Sequence, residues 1–236
     1  MTDHLEAPYE PVPAVSQETQ RAIEEVALEA NERYLTDVIE RFAFCPYSKE
    51  GRQNGETRLV VHYADSPSID ALLDLMDEAI ESGVVVTQVI LPLVEVDADA
   101  FVRFAIALTD LGHARRGDSV FAVAPLHPGL EFGEDGHAMV PLFRRAPDPT
   151  IQWVRLDGLA AIYEGRDGED AYLPPEEIFE FLAAHPKGKP RLYDRICDTN
   201  AMMAHRLGVD QVVRMLREIS DDARERYARV LLKEEG

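Results

Sequence analysis

Cysteine is scarce: only Cys45 and Cys197 occur among 236 residues. Two thiols cannot build a disulfide scaffold, and neither stands in the Cys-x-x-Cys spacing of a structural zinc site. Basic residues are also few, with 24 Lys and Arg against 44 Asp and Glu and a formal charge of −20. Such a chain repels a phosphate backbone, so nucleic acid and anionic membrane surfaces are poor partners. No apolar run approaches the roughly 18 residues of a membrane span, and the N-terminus has no signal-peptide core, so a cytoplasmic protein is expected. No strand-like run leads into a glycine-rich loop, which removes the usual nucleotide-binding signature. The sequence holds no internal repeat and no low-complexity segment.

The composition that remains, 46% hydrophobic and 29% charged, is that of an ordinary globular domain able to bury a core. Residues 1–14 carry three prolines and no apolar period, which predicts a mobile tail. From Ser16, the apolar residues Ile23, Val26, Ala27, Ala30, Tyr34, Val38 and Phe42 recur at helical steps. This helix should end at Cys45-Pro46, because the residue before a proline is pushed out of the helical region. Three strand-like runs follow, at Arg58–Tyr63, Val84–Leu91 and Ser119–Ala124; the second is apolar with one polar break. Between them lie two helices, one opened by Ser66-Pro67 and stopped at Gly83, the other capped by Asp97 and stopped at Gly112. The alternation predicts an α/β fold, with a small open, mostly parallel sheet flanked by helices and a C-terminal helical extension.

Pro125–Thr150 is a long stretch with five prolines and little periodicity, and its apolar content (Phe132, Met139, Leu142, Phe143) predicts an ordered functional loop. The remainder reads as helical over about Ile151–Tyr163, Pro175–Ala184, Arg191–Leu207 and Asp210–Leu232. The expected organisation is a tail over 1–14, an α/β domain over 15–163 and a helical extension over 164–236 packed on the same core.

Cys45 is the first candidate for chemistry, in Phe44-Cys45-Pro46-Tyr47-Ser48-Lys49. A thiol needs a nearby cation or metal to become a thiolate; Lys49 or Arg52 could supply charge, while a helix C-terminus would oppose it. Cys45 is then a nucleophile, a redox thiol, or a thiolate ligand to haem or a transition metal, and the plain alternative is a small buried apolar residue. His127 stands just past the third strand, at the edge where open α/β sheets bind ligands, and could serve as acid/base, as metal ligand, or only as a loop pin. Arg144 and Arg145 are conspicuous in so acidic a chain; a guanidinium fork binds an anionic substrate or joins a salt bridge, the two roles being equally open to Arg145 and the salt bridge favoured for Arg144. Asn200 interrupts the apolar stripe Leu192, Ile196, Met203, Leu207 and must satisfy a neighbouring backbone group or a ligand. The last helix places Val212, Leu216, Ile219, Ala223 and Tyr227 along one side, as packing or self-association surface that could make a homo-oligomer.

Three segments together resemble a known family: Cys45-Pro46-Tyr47, then Phe121 to Phe132 with His127-Pro128, then Arg145-Ala-Pro-Asp-Pro149-Thr-Ile-Gln152. Over about residues 34–162 the chain resembles the bacterial proteins grouped as domain of unknown function 1415. The resemblance implies that Cys45, His127, Pro128, Phe132, Arg145 and Pro149 belong to one site, and it implies no established activity. This chain departs from the pattern at Leu126, Leu130 and Gln152, the last standing where the family places a helix histidine, which puts a Cys-His-His metal site in doubt. The functional expectation is a protein that binds, and as an enzyme acts on, a small anionic substrate through a Cys/His/Arg site, either thiol-dependent or a haem-thiolate oxidoreductase. The alternative is a non-catalytic interaction or oligomerising module with Cys45 in its core.

Overall fold

A computed structural model of the chain describes residues 5–45, 47–66, 68–134, 136–158 and 192–234. Four strands, β1 (Thr57–Val61), β2 (Val86–Ile90), β3 (Phe121–Leu126) and β4 (Thr150–Arg155), form one open sheet in the order β1-β2-β4-β3. β1 and β2 are parallel, whereas β4 runs antiparallel to both β2 and β3. The three strands legible in the sequence share one direction. The fourth, inserted between β2 and β3, makes two of the three pairings antiparallel, so the sheet is mixed rather than mostly parallel.

The segment opening the helix expected over Ile151–Tyr163 is thus a strand. Its side chains alternate: Ile151 and Trp153 are buried against the helices on one face, while Gln152 and Val154 look onto the other. Thr150, Ile151, Gln152 and Trp153 alternate polar and apolar as a strand does, but a run this short is easily read as the start of a helix.

Helices α3 (Ile69–Ser82) and α4 (Ala98–Arg116) cover the Trp153 face, where the indole N–H donates to Thr109 Oγ1 at 3.0 Å. Their punctuation follows side-chain chemistry. Ser68, two residues later than the Ser66 expected from the sequence, accepts from Ala71 N–H, Asp97 accepts from Ala100 N–H, and Gly83 takes the left-handed conformation that ends α3. Gly112, expected as a stop, lies inside α4, which continues to a left-handed Gly117. A side chain at 112 would collide with the Met76 thioether, so this glycine marks where α4 touches α3.

On the other face lies α1 (Gln17–Arg33), which widens into a π-helical stretch over Tyr34–Glu40 and breaks at Ala43, where φ is 54°. A short α2 (Ser48–Gln53) follows, so Cys45 precedes a helix start rather than closing a helix end. One helical turn, α5 (Gly136–Met139), runs into a 3-10 turn at Val140–Arg144, and the long loop is ordered around them. Helices α6 (Leu192–Leu207) and α7 (Val209–Glu234) form the C-terminal extension, and α7 packs along α1. Its stripe of Val212, Leu216, Ile219, Ala223 and Tyr227 is therefore buried within the chain itself. The helix expected over Pro175–Ala184 lies outside the described residues. Among the described residues no helix is long and apolar enough to cross a membrane.

The segment expected as a mobile tail is packed from residue 5 onward. Tyr9 meets Phe104 edge-on at 5.9 Å, Val12 is buried and its N–H donates to Ala64 O, and Tyr63 Oη donates to Pro13 O. Two apolar side chains and two hydrogen bonds anchor this segment without any periodic pattern, because an extended strap follows the surface it covers instead of a repeat of its own.

Candidate functional site

Between the sheet and the π-helical segment lies a cavity of about 530 Å³. Its floor is the sheet face carrying Val86, Gln88, Ala124, Gln152 and Val154, and its roof is Tyr34, Leu35, Ile39, Phe44 and Cys45. The 3-10 turn supplies Phe143 and Arg144, and α6 supplies Cys197 and Asn200. Both α6 residues are buried. The size is within the range of pockets that hold small molecules, and the lining is chiefly apolar with a few convergent polar groups.

The polar groups are placed by the fold. Gln88 and Gln152 are directly opposite across β2 and β4, and Gln88 Nε2 donates to Gln152 Oε1 at 2.7 Å. Gln88 is 3% exposed, and among the described residues its Oε1 has no partner. Turning both amides over exchanges donor and acceptor but still leaves one atom of Gln88 unpaired. An unmatched buried polar atom costs about 1–3 kcal/mol. Asn200 Nδ2 donates to Phe44 O at 2.6 Å and so fixes the turn that presents Cys45. Tyr34 Oη donates to Phe143 O at 2.5 Å, and burial first, then the nearby Cys45, pushes that phenol far above its ordinary pKa. The rings of Phe44 and Phe143 pack at 4.3 Å and close the wall.

Cys45 is half-buried at this wall. Burial pushes its thiol up, Glu40 pushes it further, and the N–H groups of Tyr47 and Ser48 directed at the sulfur only partly offset them. Arg52 does not help, being engaged by Glu32 and by Glu40 at 3.3 Å. The thiol is accordingly protonated near neutral pH. Arg144 lines the cavity with no carboxylate in ion-pair reach among the described residues, while Glu50 and Glu56 stand exposed at the rim.

His127 is elsewhere. It is buried, its Nδ1 accepts from Gly129 N–H at 3.0 Å, its N–H donates to Arg144 O at 2.9 Å, and its ring leans on Phe101 at 5.7 Å. Burial holds its pKa below the usual histidine range, with the Val96 backbone and Asp97 acting the other way. It is a neutral imidazole pinning the loop after β3. Arg145 joins it rather than Cys45: Arg145 Nε donates to Pro128 O at 2.9 Å, and its guanidinium lies over the Phe132 ring at 5.6 Å. Asp148, in the same segment, is buried and accepts from Tyr227 Oη at 2.8 Å, and burial raises its carboxyl to about 7.

Of the six residues that the resemblance groups into one site, five fall in two places, and the sixth, Pro149, accepts from Leu91 N–H beside β2. His127, Pro128, Phe132 and Arg145 make one contact set, and Cys45 with Arg144 and Asn200 lines the cavity. Cys45 and His127 do not line one cavity, and among the described residues no three His, Cys, Asp or Glu side chains form a group able to hold a metal ion. The geometry gives no support to haem or a transition metal shared between that pair.

The family model described as "Protein of unknown function (DUF1415)" matches residues 26–180. The chain belongs to the DUF1415 family. The match starts earlier and ends later than the residues 34–162 over which the motifs are legible, and its motif leading into residue 152 enters a strand, not a helix. No curated protein and no solved structure matches the chain. Within this DUF1415 member, α6 and α7 lie beyond the matched residues, yet α6 closes the cavity and α7 holds Asp148. Gln88 and Asp148 were not singled out from the sequence. The one polar break in an otherwise apolar strand was the available signal for Gln88, and Asp148 between two prolines gave none.

Proposed function

We propose that the protein binds a small, mainly apolar molecule with one acidic group, held in the cavity between the sheet and the π-helical segment. The observation that carries this reading is the unpaired amide atom of Gln88, buried on the wall of a cavity of about 530 Å³. A ligand that hydrogen-bonds there recovers a cost the empty protein carries. Arg144, without a carboxylate partner among the described residues, receives the acidic group, and the apolar floor receives the rest. The exposed Glu50 and Glu56 at the rim disfavour multiply charged anions and favour a single acidic group that reaches the interior. Cys45 faces the ligand as a neutral thiol. The buried Tyr34 phenol beside it is no base, and His127 is not among the lining residues, which favours binding over thiol catalysis.

Octanoate, benzoate and phenylacetate, titrated at constant ionic strength, should raise the melting temperature saturably and slow N-ethylmaleimide labelling of Cys45. Arg144→Gln should abolish both effects while folding normally. The reading fails when none of the three acids changes either the melting temperature or the labelling rate.

A further inference from the structure

Three arginines outside the cavity, Arg145, Arg217 and Arg224, lie at the loop after β3. Tyr227 docks α7 on Asp148 at 2.8 Å, Arg224 stands one turn before Tyr227, and Arg217 two turns before Arg224. These spacings of three and seven residues put the two arginines on the side of α7 that meets residues 145–148. Arg145 completes the group from the loop. Its Nε is spent on Pro128 O and one face of its guanidinium on Phe132, which leaves the Nη1/Nη2 edge. Among the described residues, neither Arg145 nor Arg217 has a carboxylate in ion-pair reach, and Arg224 reaches only its own neighbour Asp221, at 3.5 Å with both side chains exposed. Partial burial first, then the charge of Arg217, lower the pKa of the Arg145 guanidinium, which remains a cation, partly desolvated and near a second one.

Among the described residues, the two carboxylates acting on this cluster form no ion pair with its arginines. Asp97 caps α4 through Ala100 N–H at 2.9 Å, and Asp148 is taken by Tyr227. In a chain of formal charge −20, two arginines, Arg145 and Arg217, without a carboxylate partner among the described residues are a departure that a bound anion would resolve. We infer that Arg145 and Arg217, with Arg224 adding charge, form a surface site for a small oxyanion of the phosphate or carboxylate class. The free edge of Arg145 takes two oxygens and Arg217 takes a third. This site shares no side chain with the cavity.

The test is a titration of the full chain with inorganic phosphate and, separately, malonate, each at constant ionic strength against chloride, read as melting temperature. At least one of the two should stabilise the wild type and Arg144→Gln equally. Arg217→Gln, an exposed change that leaves the fold intact, should raise the half-saturating concentration at least about tenfold, the weight of one charge-assisted hydrogen bond. Arg145→Gln should do the same or more. A response to phosphate alone assigns a phosphoryl group, and a response to malonate alone a carboxylate. No stabilisation by either beyond chloride, or a stabilisation that Arg217→Gln leaves unchanged, overturns the inference. The cavity reading is untouched by that failure, since it is read with monocarboxylates and Arg144→Gln.

Discussion

The cavity and the His127 cluster draw on one short segment, Phe143 and Arg144 serving the first and Arg145 and Asp148 the second. The cavity is apolar, with the cation of Arg144 and, among the described residues, an amide atom left unpaired; the cluster is crowded with charge, its histidine and its buried carboxyl hydrogen-bonded while the outer edge of Arg145 stays open. The difference teaches that two adjacent arginines in an irregular turn need not share a task, because successive side chains there leave the backbone in different directions. A site inferred by pooling chemically attractive residues merges what the backbone separates.

The largest effect should come from the residue that backs the wall between the two regions. Phe143→Ala removes a buried ring packed on Phe44 and loosens the carbonyl that holds Tyr34 Oη, and it should cost about 3–5 kcal/mol in urea denaturation. A loss below about 1 kcal/mol would mean that the two regions are not mechanically joined there.

Next is Asp148, in the charged region alone. Its carboxyl lies at about 7 in the folded chain against an ordinary 3.8, so between these values the folded state holds a proton that the unfolded state has released. This stabilisation is complete below about pH 4 and is lost as pH rises through about 7, a change of about 4 kcal/mol over the whole window. Asp148→Asn keeps an acceptor for Tyr227 and cannot titrate. Its stability relative to wild type should therefore improve from pH 5 to about pH 7 and level off above it, and parallel pH profiles for the two proteins would contradict the assignment.

In the cavity the expected sign is reversed with respect to function. Replacing the glutamine pair, Gln88→Leu with Gln152→Val, removes an unpaired buried atom and should leave the empty protein as stable or about 1 kcal/mol more stable while abolishing carboxylate binding. A clear destabilisation would show that the amides hold the sheet rather than await a ligand. The smallest effect belongs to Asn200→Ala, about 1 kcal/mol, with faster maleimide labelling of Cys45 as its turn loosens.

Much of the framework was legible because it is punctuated chemically. Asp97, Gly83 and the apolar faces of α3 and α4 announce themselves, and Ser68 and Gly117 shift the expected boundaries by only a few residues. β4 escaped because its partners are supplied by β2 and β3, which nothing in Thr150–Arg155 foretells. Tyr9 and Val12 escaped because an extended strap has no period. At the candidate site, the residue types Cys45, Arg144 and Asn200 were recognisable, but which of Arg144 and Arg145 faces the cavity depends on how the 3-10 turn ends. Gln88 becomes notable only once its missing partner is seen in space.

The first helix and the last are tied in one further way. Glu234 accepts from Ser16 N–H at 2.7 Å and from Ser16 Oγ at 2.8 Å, and also from Thr19 Oγ1, at the very start of α1. During synthesis α1 emerges early, but the carboxylate that completes its N-terminal cap is made 218 residues later. The roof over the cavity continues from α1, so the helix that packs along it and the last group of its cap both come from a segment made long after it.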